Sequence, residues 1–365
     1  MAIALPRHAE PDNRAAKTPG VTAGHNVARP PLCCVRRMTQ PEATFYAALT
    51  AAALSFIGTT VVVLAQRRNT RLTSDLEQHR TEKTARLDYE YEARKRLYAE
   101  LEPLFLQLSE QSERAIHRIE AAAASARARH LREESRWIND PYDYFIPMLA
   151  FHLIAPLTIV RLIQEKLTFV DLTVSSTLSE RYALVKLLQR AWASDFDLAE
   201  GPPRVDYDPH HDDWEERQRQ NGKIYAKQTL AAGFVDRASG ALIVRDDHGA
   251  RCLTFGDFHT RLQDGDPTLV RSFDPVLRLF LGFHPERRPV LWRVLLLQAT
   301  LYRAFIDAAK RTDFDGTAAR PATIRLFTEE EQLARFDWHP QRTDATDEEV
   351  RKHFTAVAAY VERLR

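Results

Sequence analysis

"FYAALTAAALSFIGTTVVVLAQRR", Phe45 to Arg68, decides the architecture. From Phe45 to Ala65 there are 21 residues without a charge. A helix rising ~1.5 Å per residue would carry that run about 31 Å, and a bilayer core is about 30 Å thick. Thr50, Ser55, Thr59 and Thr60 can return their hydroxyls to the helix backbone, and Gly58 is tolerated in lipid. Soluble helices apolar on every face for this long are uncommon. A cleaved signal peptide has a shorter apolar region, about 7–15 residues, followed by a small-x-small site. Here the run ends in Gln66-Arg67-Arg68, and positive charge there opposes export of the downstream chain. The stretch predicts an uncleaved transmembrane helix over 43–66 that meets the lipid bilayer through Phe45–Ala65.

Outward from this segment, the flanking charges predict orientation. On the N-terminal side stand Arg29, Arg36 and Arg37; on the C-terminal side stand Arg67, Arg68, Arg71, Arg80, Lys83 and Arg86. Six against three places the C-terminal part in the cytoplasm of a bacterial cell, with a single pass through the cell membrane. Residues 1–41 are rich in Ala, Pro and Arg without hydrophobic periodicity, which predicts a disordered tail. A start at Met38 is the alternative reading of this end, leaving a short tail of net negative charge.

Composition bounds the rest. The 365 residues carry 51 basic and 50 acidic side chains, so no global basic field argues for nucleic acid. A charged fraction of 28% argues against a multi-span membrane protein. Nine lysines against 42 arginines reflect a GC-rich genome rather than guanidinium chemistry. Cys33, Cys34 and Cys252 form no CxxC spacing, and adjacent cysteines rarely bridge.

Residues 67–139 read as one long amphipathic helical segment. Glu90/Arg94 and Glu92/Arg96 stand in the favoured i,i+4 order. Leu97, Leu101, Leu104 and Leu108 step by 4, 3 and 4, the spacing of a coiled-coil seam, but charged residues at core positions before Leu97 favour an amphipathic helix lying on its own domain. Pro103 should kink this helix or begin a new one. Residues 140–365 read as a helical domain. Tyr144 to Val160 is apolar except for His152 and Thr158, with Pro147 and Pro156 inside it. That is marginal for a second crossing or a re-entrant segment, and it suits a central buried helix with His152 as a core residue. Thr177 and Glu180 form a capping-box pattern that turns Leu178, Leu184, Val185, Leu188 and Trp192 inward. The Pro- and Asp-rich break at 200–216 divides two helical lobes in this reading. Residues 241–255 admit a small β-hairpin turning at Asp247-His248-Gly249, or a helix, a loop and a second helix from Asp257. The helical surroundings favour the second. Arg288 to Lys310 is a buried helix with Pro289 in its first position. The last helix starts at Thr346, capped with Glu349, and its stripe Val350, Phe354, Val357, Val361 and Leu364 suits a core or a partner helix. The fold class is therefore all-α.

Three stretches, "YEARKRLYAELEPLF" (Tyr91 to Phe105), "LIAPLTIVRLIQEKLTFVDL" (Leu153 to Leu172) and "RPVLWRVLL" (Arg288 to Leu296), together with the anchor resemble uncharacterised N-terminally membrane-anchored helical proteins of actinobacteria. The resemblance implies a helical architecture and a high-GC origin. It carries no activity and no site residue.

Chemistry leaves few marks. Phosphate-loop, dinucleotide, zincin and nucleophile-elbow patterns are absent from the sequence. The best polar cluster is Asp206, Asp208, His210, His211, Asp212 and Asp213, whose carboxylates and imidazoles could bind a divalent metal. A Pro-flanked loop lacks the rigid support such a site needs, and a solvated acidic loop is the simpler reading. His284, Glu286, Arg287 and Arg288 precede a helix N-terminus, which favours anions. Cys252 reads as a small core residue, since no base partner can be argued. No cofactor is expected. The chain reads as a single-pass, membrane-anchored helical scaffold or adaptor, more a binding protein than an enzyme. Homo-oligomer or partner contacts would run through Leu97, Leu101, Leu104 and Leu108 or through Val350, Phe354, Val357 and Val361. The alternative is a membrane-tethered metal-dependent enzyme using the Asp206–Asp213 loop.

Overall fold

A computed structural model describes residues 40–130, 144–167, 175–209, 228–247, 249–310 and 324–364. Two compact units divide the chain, one ending at Thr81 and the other spanning Glu82 to Arg365. The proposed tail before Gln40, its alternative start and the expected loop residues His210 to Asp213 lie outside the described residues.

Helix α1, Gln40–Arg127, contributes to both units. Within the first unit its apolar face is not a face at all: Leu54, Phe56, Ile57, Val61, Val62 and Leu64 are all exposed, Phe56 by 74%. The threonines behave as lipid-compatible residues must. Thr50 Oγ1 donates to Ala47 O at 3.0 Å, Thr59 to Ser55 O at 2.6 Å and Thr60 to Phe56 O at 2.6 Å. Each hydroxyl thus stays within the helix, where an unpaired one would be costly in hydrocarbon.

Among the described residues the second unit is helical with one small hairpin. Its elements are the C-terminal part of α1, then α2 (Phe145–Leu167), α3 (Ser176–Ala191), α4 (Asp195–Glu200), α5 (Ala232–Ala241), β1 (Ile243–Asp246), β2 (Gly249–Cys252), α6 (Phe255–Gln263), α7 (Pro267–Phe280), α8 (Pro289–Ala309), α9 (Glu329–Phe336) and α10 (Asp344–Leu364). At the centre stands α8, packed on α3, α4 and α10, while α2 packs on α3, α5, α6 and α7. One contiguous hydrophobic cluster joins them, from Leu97 to Val361. The break after Glu200 therefore does not separate two lobes among the described residues.

Burying α8 on every side requires partners for its polar groups. Gln298 Nε2 donates to Leu188 O at 2.9 Å, and Thr300 Oγ1 donates back to Leu296 O at 2.8 Å. Arg293 donates to three carbonyls of α4 and the turn after it. Each such pair avoids the ~1–3 kcal/mol that an unsatisfied buried group would cost, whereas Trp292 Nε1, Gln298 Oε1 and the Tyr302 hydroxyl of the same helix make no hydrogen bond.

The seam leucines belong to this core. Leu97, Leu101 and Leu108 are buried within the chain, with Leu104 packed at the edge. Of the two meanings of that spacing, the stripe lying on its own domain is the one observed. The stripe Val350, Phe354, Val357 and Val361 is buried in the same cluster. The helix continues through Pro103 rather than restarting there. Glu90 pairs back with Arg86 at 3.0 Å, and Glu92 pairs with Lys95 at 3.9 Å.

Among the described residues two helices are long and apolar enough to cross a membrane, and their surroundings differ completely. None of the apolar stretch in α1 is buried, whereas 94% of that in α2 lies inside the fold. Thr158 of α2 donates to Ser239 O at 3.1 Å across the packed interface with α5. Helix α2 is thus the core helix of the second unit, and His152 lies within it, 7% exposed and edge-on to Phe151.

Three local expectations need correction. The 241–255 stretch is a hairpin and not a helix continuing to Val244: α5 ends at Ala241, and β1 pairs antiparallel with β2 in the register Ile243–Cys252 to Asp246–Gly249. Gly249 has φ +114°, a conformation open to glycine, and Arg251 pairs with Asp246 at 3.1 Å across the ribbon. Leu242 is fully buried just ahead of the strand, which explains why a three-residue apolar run could not distinguish helix from strand. Helix α3 is capped by Ser175, whose Oγ accepts from Leu178 N, two residues before the expected Thr177. Helix α10 begins at Asp344: Thr343 Oγ1 accepts from Thr346 N, and Thr346 Oγ1 accepts from Thr343 N at 2.8 Å. The reciprocal capping box occurs instead at α9, between Thr328 and Glu331.

Candidate metal centre

Two triplets have the same grammar: Phe283-His284-Pro285 and Trp338-His339-Pro340. Proline holds the residue before it in extended backbone, so each histidine has a restricted direction. The aromatic residue before it is an anchor, since Phe283 and Trp338 are both buried. The first triplet follows Gly282, whose φ of +63° turns the chain after α7. The second lies between α9 and α10. There His339 N donates to Asp337 Oδ1 at 2.9 Å, and Arg127 Nη2 donates to Asp337 O at 2.7 Å.

These segments bring Glu286 and His339 beside Glu349 of α10. One carboxylate oxygen of each glutamate and an imidazole nitrogen of His339 all lie within 4.8 Å of one another. His339 Nε2 stands 3.5 Å from Glu349 Oε2, on a side chain only 10% exposed. That nitrogen is out of contact with water and makes no hydrogen bond. The other oxygen of Glu349 accepts from Lys352 Nζ at 3.3 Å, so the two oxygens of this carboxylate face different groups. Glu286 N donates to His284 Nδ1 at 3.3 Å, and the Glu286 carboxylate passes 4.0 Å from the same nitrogen.

The group sits where two clefts meet. One, of about 270 Å³, is lined by His284, Glu286, Trp338 and His339; the other, of about 390 Å³, by Asp206, Glu286, Trp338, Glu349 and Lys352. Glu286 and Trp338 line both. His353, which also lines the second cleft, is 3% exposed and edge-on to Trp338, with ring centroids 5.4 Å apart. Burial, followed by the charges of Arg293 and Lys352, holds its imidazole well below the ordinary histidine range, so it is neutral.

Of the loop expected to bind metal, Asp206 reaches this second cleft. Tyr207 beside it turns inward and donates to Asp195 Oδ2 at 2.8 Å, with its hydroxyl pKa raised by burial and by that carboxylate. Thr229 Oγ1 donates to the same oxygen at 2.8 Å. His210, His211, Asp212 and Asp213 lie outside the described residues.

The anion site expected at the start of α8 is corrected. The amides of Val290 and Leu291 already donate to Gln228 Oε1, at 2.9 and 3.2 Å. Arg288 turns away from them and donates to Leu279 O near the end of α7. Cys252 behaves as expected of a core thiol: burial pushes it up to about 12, far from a thiolate at neutral pH. His339 and Glu349 were not legible as site residues. The repeated aromatic-His-Pro triplet is the signal that would have found the first of them.

Comparisons of the chain with protein-family models, with curated proteins and with solved structures found no match.

Proposed function

We propose that the chain is a single-pass membrane protein whose Glu82–Arg365 unit is a cytoplasmic helical scaffold or adaptor. One observation carries the reading: in the run of 21 uncharged residues, Phe45 to Ala65, no residue with a described side chain is buried. In water an exposed apolar surface of that extent would drive aggregation, and a bilayer removes the penalty. The six basic residues after Gln66, against three before Phe45, favour a cytoplasmic C-terminal unit.

The scaffold reading rests on the long polar stretch of helix beyond the apolar run and on the single packed core of the second unit. Reporters for cytoplasmic and exported location fused after Arg365 test the orientation, and alkaline carbonate extraction tests the insertion. Cytoplasmic signal and retention in the membrane pellet are expected. Leu54→Arg should release the protein from the pellet, since an arginine at a helix centre costs about 2.5–3.5 kcal/mol of insertion. An exported reporter overturns the orientation, and carbonate release of the unaltered chain overturns the anchor.

A further inference from the structure

We propose that Glu286, His339 and Glu349 form a binding site for one divalent transition-metal ion, with Zn²⁺ as the ion of reference. Their ligand atoms lie within 4.8 Å of one another and come from three separate segments: the α7–α8 loop, the α9–α10 loop and the second turn of α10. In tetrahedral zinc sites, bonds of about 2.0–2.2 Å place neighbouring ligands about 3.4 Å apart. The 3.5 Å between His339 Nε2 and Glu349 Oε2 already meets that requirement. Glu286 is the exposed member, its ligand oxygen within 4.8 Å of the other two.

The independent observation is His339 itself. Its side chain is nine-tenths buried, and its Nε2 is sealed from water without a hydrogen bond. A buried imidazole nitrogen that makes no hydrogen bond costs free energy unless a ligand takes its lone pair, and the polar atom facing it at 3.5 Å, Glu349 Oε2, is itself a candidate ligand. Two carboxylates beside it supply the charge that a divalent cation needs, and one imidazole shifts the preference from Ca²⁺ or Mg²⁺ toward the transition series. The support around the ligands is rigid where it matters. Trp338 is buried on one side of His339, Pro340 restricts the backbone on the other, and Lys352 holds the second oxygen of Glu349. Three protein ligands leave at least one coordination position, and the cleft lined by Glu286 and Glu349 gives a small donor molecule access to it.

The test uses the full chain in detergent, freed of any affinity tag and of bound metal. Zn²⁺ as its chloride is titrated against a competing chromophoric chelator, and thermal unfolding is followed with and without the ion. One ion per chain and a higher unfolding midpoint with Zn²⁺ are expected. Loss of outer-sphere partners alone weakens metal sites about 10–100-fold, so His339→Ala and Glu286→Gln should each weaken binding by at least about tenfold. Glu286 is exposed, so E286Q keeps the test decisive should H339A fold poorly. The double variant His210→Ala/His211→Ala should bind as the unaltered chain does. No binding by the unaltered chain, or unchanged affinity in E286Q, overturns the proposal. So does loss of binding confined to the His210/His211 variant.

Discussion

Arg293 donates Nη1 to the carbonyl oxygen of Leu198 at 2.6 Å, joining the central helix α8 to the short helix α4. The same nitrogen reaches Gly201 O at 3.0 Å, and Nη2 reaches Pro203 O. Burial lowers the guanidinium to about 10, so it remains charged at neutral pH. Arg293→Met should leave three carbonyls without this donor. At about 1–3 kcal/mol per unsatisfied group, a loss of at least ~3 kcal/mol in urea unfolding is expected. Arg293→Lys should restore little of it, because an ammonium lacks the planar fork.

The seam leucines allow a sharp distinction. Leu101 is 1% exposed inside the chain's own core, with Leu104 at its margin. Leu101→Ala should cost about 2–5 kcal/mol of folding stability, as truncations of buried leucines do. Leu104→Ala should cost less. Light scattering beside the unfolding curves separates the outcomes: a change in mass without a change in stability would assign Leu101 to a partner interface.

Acidification should weaken the fold in two stages. Burial, then the charges of Arg118 and Arg114, holds His152 at about 4, below its ordinary 6.5. The unfolded chain therefore takes up protons first, and stability falls as pH drops from about 6.5 toward 4. His353, held low by burial, acts in the same direction. Glu331 is held at about 2, chiefly by its hydrogen bond from Arg303, so its contribution is present above about 4.5 and lost as pH falls through 2. The urea midpoint should thus be lower at pH 5 than at pH 7.5, and His152→Leu should flatten that difference. An unaltered pH dependence in the variant would remove His152 from this account.

Glu331 closes the cap of α9. One of its oxygens accepts from Thr328 N at 2.8 Å and from Arg303 Nη1 at 2.8 Å. Arg303 in turn lies over the Phe327 ring, 4.7 Å from its centroid. Glu331→Gln keeps the shape and removes the charge. A loss of about 1–2 kcal/mol is expected in thermal unfolding, within the range for a cap and a charged hydrogen bond together.

Legibility in the sequence depends on range. The helix at Arg288 to Lys310 and the stripe from Val350 to Val361 are local patterns, and each helix reads close to its observed bounds. The meaning of the leucine seam is not local, since periodicity is the same whether the covering surface belongs to the chain or to a partner. Val244 could not choose between helix and strand because what decides is its pairing with Arg251 on β2, a strand that in turn packs on α2. The candidate centre was the least legible part. Glu286, His339 and Glu349 are brought together by loops whose geometry depends on Gly282, Asp337 and Thr343, and no spacing rule links them.

The position of α8 in the core also orders events during synthesis. Helices α3 and α4 bury their apolar faces against α8, which is encoded more than 80 residues later. At about 5–20 residues per second, the ribosome needs on the order of ten seconds to pass from Ala191 to Ala309. For much of that interval Leu184, Leu188 and Trp192 have left the exit tunnel without the surface they will pack against. Those apolar faces therefore stay uncovered until the final quarter of the chain emerges, and a truncation before α8 would leave helices without the surface they pack against.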